Sequence, residues 1–99
     1  MLDFQAINRA AIAALPCILR RLFPQGKIDG ADFCIGDIHG TPGQSLRICL
    51  RGPKVGVWKD FATGEGGSDP VSLVAAYARV NQGEGAALLA RMLGIDNDR

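Results

Sequence analysis

Hydrophobic positions along this chain change period twice. From Asp3 to about Leu15 the apolar residues Phe4, Ile7, Ala11 and Leu15 recur at helical spacing, and Asp3 stands where an N-cap belongs. Pro16 either kinks that helix or starts a second short one, because proline suits a first helical turn. The second apolar run ends at Pro24, and Gly26 and Gly30 mark turns. From about Ala31 the period becomes two. Phe33 and Ile35, with Asp37 as a further candidate, suggest a short strand, and His39–Gly43 reads as a loop. Ser45–Arg51 alternates with Leu46, Ile48 and Leu50 on one face and Arg47, Cys49 and Arg51 on the other. Gly52-Pro53-Lys54 is a turn, and residues 55–61 form the returning strand of a hairpin.

Beyond the hairpin the helical period returns. Asp69-Pro70 is an N-cap followed by proline at the first position, and Val71, Leu73, Val74, Ala75, Tyr77 and Ala78 make a strongly apolar helix. Asn81 with Glu84 three residues later resembles a capping box for a last helix over Ala86–Leu93, with Gly94 at its C′ position. The predicted fold is α+β: a small antiparallel sheet flanked by an N-terminal helix and two C-terminal helices. Its organisation is a helical segment over 1–30 and a sheet-containing part over 31–99, together one compact domain.

Composition narrows the functional classes. The chain has 99 residues, and one core is feasible at that length without disulfides or metal. No apolar run is long enough to span a membrane. Cys17, Cys34 and Cys49 are odd in number and lack a Cys-x-x-Cys pair, which predicts free thiols and a cytoplasmic setting. The net charge of +1 supplies no bulk field, so an electrostatic site must be a local patch. It hides an asymmetry: residues 1–61 hold eight Lys/Arg and five Asp/Glu, and residues 62–99 hold three and five.

One local patch stands out. Arg47 and Arg51 share a strand face, Lys54 sits in the hairpin turn, and Lys59 flanks Trp58 on the returning strand. Cations with an aromatic on a small sheet suit single-stranded nucleic acid, which needs phosphate neutralisation and a stacking platform. Core packing is the preferred reading of Trp58, which is also the one aromatic assigned to that patch. An ordinary solvated face is the plain alternative for the charges. The Gly64–Ser68 turn before a helix could cradle a phosphate. However, it lacks the Lys-Ser/Thr of a P-loop and the GxGxxG spacing, and Glu65 would repel the ligand.

The run Trp58-Lys59-Asp60-Phe61-Ala62-Thr63-Gly64-Glu65-Gly66-Gly67, followed by Ser68-Asp69 and Leu73-Val74-Ala75-Ala76, is the least generic part of the chain. It resembles the N-terminal zinc-ribbon-type domain of bacterial and phage DNA primases, in the degenerate form found in phage- and plasmid-borne primase/helicase proteins. The segments Gly40–Ile48 and Gly83–Ala90 support the likeness, which covers roughly residues 31–95. Zinc-binding members use a Cys-x-x-His and a Cys-x-x-Cys pair. Here Gly36-Asp37-Ile38-His39 keeps only the histidine, and the second pair has no cysteine. Cys34 and His39 are the only nearby ligand candidates, too few for structural zinc, so no cofactor is expected.

The resemblance implies a non-catalytic accessory module that contacts single-stranded template DNA. Its partners would be a primase catalytic domain or a helicase. The catalytic domain and motor are not in this sequence, so enzyme activity is not expected of it. The competing reading is a protein-interaction adaptor of phage or plasmid origin that uses its helices and binds no DNA.

Overall fold

The computed structural model describes residues 3–95. Residues 1, 2 and 96–99, the outer ends of the two expected segments, lie outside the described residues. Asp3 caps the first helix, its carboxylate accepting from the Ala6 amide at 3.1 Å, and α1 runs Phe4–Ala13. Ala14 interrupts the path and α2 follows at Leu15–Leu22 with Pro16 in its first turn. Of the two roles open to Pro16, it starts a second helix. Leu15, Ile18, Leu19 and Leu22 are buried at helical spacing, while Arg20 and Arg21 are exposed.

Five strands follow: β1 (Lys27–Asp29), β2 (Asp32–Ile35), β3 (Leu46–Cys49), β4 (Trp58–Asp60) and β5 (Gly66–Gly67). They form one sheet in sequence order, every neighbouring pair antiparallel. With α3 (Pro70–Ala78) and α4 (Gln82–Leu93) the architecture is the α+β arrangement expected. Two strands were not anticipated. β1 lies before residue 31 yet pairs with β2 through Lys27↔Cys34, Ile28↔Phe33 and Asp29↔Asp32. β5 is two glycines against Trp58 and Lys59. The hairpin strands are shorter than the alternation implied. Gly52 and Gly56 take positive φ (88° and 89°), which turns residues 50–57 out of the ladder.

Alternation assigns the two faces of the sheet. Phe33, Ile35, Leu46, Ile48 and Trp58 point inward and join Ile7, Leu15, Leu19, Val71, Val74 and Leu89 in the core. Asp32, Cys34, Arg47, Cys49 and Lys59 point to the opposite side. Among the described residues, no helix is long and apolar enough to cross a membrane.

The two C-terminal helices pack through a close approach. A Cβ added at Gly85 in α4 would lie 2.8 Å from the Ala75 Cβ and 2.9 Å from its Cα. Two residues earlier, a Cβ at Gly83 would meet only the Asn81 side-chain oxygen, at 3.4 Å. Helix propensity alone favours alanine at both positions. Packing reverses the sign at one. Gly85→Ala is expected to cost about 1–3 kcal/mol, because backbone must move. Gly83→Ala should be neutral or stabilising by up to about 1 kcal/mol. Urea denaturation midpoints of the two variants check this contrast.

Candidate nucleic-acid interface

The outward face of the sheet carries the cations singled out by the sequence, but it does not leave them equivalent. Arg47 on β3 sits opposite Lys59 on β4 and Cys34 on β2. Its guanidinium donates to Asp32 at 3.2 Å and to Asp29 at 3.4 Å. The Asp32 hydrogen bond, with lesser help from Cys34 and Asp29, holds the Arg47 pKa above its ordinary value. Arg47 is therefore a cation already neutralised by two carboxylates. Arg51 donates to the Gly30 carbonyl at 3.3 Å, and that contact leaves its charge intact. Lys54 is exposed in the turn. Among the described residues, no carboxylate lies within ion-pair distance of Arg51, Lys54 or Lys59.

Trp58 is not a surface platform. It is 3% exposed, and its indole N–H donates to the Ser72 hydroxyl at 2.9 Å. The aromatic that does reach solvent beside these cations is Phe61. Phe61, just past β4, is 67% exposed, and the Lys59 ammonium lies 5.4 Å from its ring centroid. An open depression of about 170 Å³ is lined by Asp32, Arg47, Cys49, Val57, Trp58, Lys59 and Phe61. Strict alternation from Trp58 would have placed Phe61 outward. The signal was masked because Asp60, a charged residue, takes the inward position between them.

Asp60 is 2% exposed and satisfied by its own turn. Its Oδ1 accepts from the amides of Ala62 at 2.8 Å and Thr63 at 3.3 Å, while the Gly64 amide donates to its carbonyl at 2.7 Å. The Phe61 amide donates to the Ser45 carbonyl at 2.7 Å. These bonds fix the backbone that aims Phe61 at solvent. A second carboxylate does similar work at the same end of the sheet. Asp37 Oδ1 accepts from the His39 amide at 2.9 Å and the Thr41 amide at 3.2 Å, and Gly36 donates to the Thr41 carbonyl at 2.7 Å.

The residues do not fit a ribbon-type zinc. A Cβ at Gly36 would lie 2.7 Å from the Pro42 carbonyl oxygen, so a ligand side chain has no room there. Cys34 is buried on the outward side of β2. Burial raises its thiol pKa, as do Asp29 and Asp32, against the opposing effect of Arg47. His39 stands in the following loop, its Nε2 3.4 Å from an Arg79 guanidinium nitrogen. Among the described residues, no three His, Cys, Asp or Glu side chains converge on a point where a metal could sit. The Gly64–Ser68 segment is no phosphate cradle either. Gly66 and Gly67 are paired in β5, and the first turn of α3 is closed by Asp69, whose side chain accepts from the Ser72 amide at 2.8 Å.

The Asp37 turn generates a pH dependence. Desolvation pushes its carboxyl up, but the Thr41 amide and hydroxyl, the His39 amide and the nearby imidazole outweigh it, and the net pKa is lowered. The unfolded chain thus binds the proton more readily. Asp37 stabilises the fold fully above about pH 4 and loses that contribution as pH falls through its lower folded value. Asp37→Ala should lower the urea midpoint at pH 7, and the gap to wild type should narrow below pH 3–4 or so. A gap independent of pH would contradict this assignment.

Comparison of the chain with protein-family models, curated proteins and solved structures returns no match.

Proposed function

We propose that this chain is a non-catalytic accessory module of a DNA-replication system, primase-like, that contacts single-stranded DNA through the outward face of its sheet. The observation that carries the reading is the exposed Phe61 ring with the Lys59 ammonium beside it, at the edge of an open depression. An aromatic ring offers a face to any unpaired base, and an adjacent free cation offers a partner to its phosphate. Arg51 and Lys54 continue the positive charge along the β3–β4 hairpin. Arg47 holds the sheet together through Asp29 and Asp32 and contributes little attraction for phosphate. Relative to the sequence expectation, Phe61 replaces Trp58 as the stacking group.

In this reading the module works beside a catalytic primase domain or a helicase, and its own residues bind and orient the template. It requires no metal. Its setting is cytoplasmic, consistent with free Cys17, Cys34 and Cys49. One observation favours the adaptor reading instead: the acid-paired Arg47 leaves the middle of the face close to neutral.

A titration with fluorescently labelled oligothymidylate separates the two. The binding reading predicts an affinity that falls with salt, with a log–log slope of about −2 for three neutralised phosphates. Phe61→Ala should weaken binding about tenfold or more, Lys59→Ala should reduce the salt slope, and Arg47→Ala should change affinity little if the fold survives. No binding at low salt would overturn the proposal in favour of the adaptor.

A further inference from the structure

The sheet is capped at one side by a strand that is unusually easy to extend. β1 is three residues long, all exposed, and Ile28 at its centre is 49% exposed. The direction of its backbone groups follows from the neighbouring ladders. The Leu50 amide bonds to the Ala31 carbonyl at 2.7 Å, so alternate residues Ala31, Phe33 and Ile35 of that strand face β3. Asp32 and Cys34 therefore face β1 and bond to Asp29 and Lys27. Ile28 lies between them with its N–H and C=O directed away from the sheet. One donor and one acceptor stand side by side at the open edge.

Edge strands commonly resist pairing by presenting lysine. Here the charge pattern does the reverse. The strand reads Lys27-Ile28-Asp29. If a second β1 pairs antiparallel about a two-fold axis at Ile28, Lys27 of each copy lies opposite Asp29 of the other. Lys27 has no carboxylate within ion-pair distance among the described residues, and Asp29 remains accessible although it also meets Arg47. Both side chains lie on the outward face, where Lys27 would join the Asp29–Arg47 pair of the other copy. The Ile28 side chains lie together on the opposite face.

We propose that the chain self-associates through β1, two copies exchanging Ile28 N–H···O=C bonds and two Lys27–Asp29 pairs to give one continuous ten-stranded sheet. The interface is isologous and closes on itself, so it yields a dimer and no polymer. Its occupant is a second copy because the sequence of the edge is complementary to itself. The outward faces of the two copies end up side by side. Three-residue edges bury far less than the roughly 1,200 Å² of a standard interface, so the dimer is weak and concentration-dependent.

Sedimentation equilibrium across the micromolar to millimolar range tests it, with circular dichroism to verify each fold. Wild type should show a monomer–dimer equilibrium. Lys27→Glu and Asp29→Lys should each weaken self-association about tenfold, since each sets like charges opposite one another twice. An equal mixture of these two variants should recover association, because every cross-strand pair is then opposite in charge. Ile28→Pro deletes the outward amide without touching a β1–β2 bond and should abolish association even if a charge variant fails to fold. A wild type that stays monomeric throughout, or variants that dimerise as well as wild type, would overturn the proposal.

Discussion

One polar junction ties the sheet to the helices beside the apolar core they share. Trp58 enters the core from the inward face of β4 and donates its indole N–H to Ser72 in α3. The Ser72 hydroxyl donates in turn to the Asp69 carbonyl at 2.7 Å, and the Ser72 amide donates to the Asp69 carboxylate. Gly67 on β5 passes directly over this contact. A Cβ there would lie 2.6 Å from the indole nitrogen and would collide with the Ser72 oxygen. α1 reaches the same place through Asn8, which donates to Asp69 at 3.2 Å and accepts from the Val71 amide at 2.9 Å. An aromatic side chain, a glycine strand and a capped helix thus meet at one point, and α1 closes it. This junction commits one face of the sheet to the helices, and the other presents Lys27, Asp29 and Lys59 to solvent.

That arrangement explains the most distinctive stretch of the sequence residue by residue. Trp58 fills the core, Asp60 closes a turn, Thr63 accepts from the Glu65 amide, and Gly66 and Gly67 allow β5 to approach β4. Phe61 is the large side chain of the stretch that the fold does not bury. Its exposure costs hydrophobic stabilisation of about 1.5–3 kcal/mol that a buried ring would supply. Backbone hydrogen bonds on both sides of Phe61 hold its ring in that exposed position. The two carboxylate turns, at Asp37 and Asp60, close the loops at this end of the sheet by accepting backbone amides.

Long periodic segments were legible in the sequence, and short or cross-chain features were not. Leu46, Ile48 and Leu50 against Arg47 and Cys49 revealed a strand with one face to the core, and Asp3, Asp69 and Asn81 located three helix starts. β1 escaped because three residues between Gly26 and Gly30 are too few to display a period. β5 escaped because two glycines carry no side-chain pattern at all. Among the candidate site residues, the exposure of Lys54 and Lys59 follows from local turn and strand position. The neutralisation of Arg47 depends on Asp29 and Asp32, 18 and 15 residues away, and only the sheet register brings them together. Phe61 was within reach of strict alternation but was hidden by the inward-facing Asp60.

The most direct test of this account is a double-mutant cycle between Trp58→Phe and Ser72→Ala, read as equilibrium unfolding free energies. If the indole–hydroxyl bond joins sheet to helix, the two substitutions are coupled. The double variant should then lose less than the sum of the single losses by about 0.5–2 kcal/mol. Strictly additive losses would show that the two residues act separately and would contradict a sheet-to-helix junction at Trp58 and Ser72.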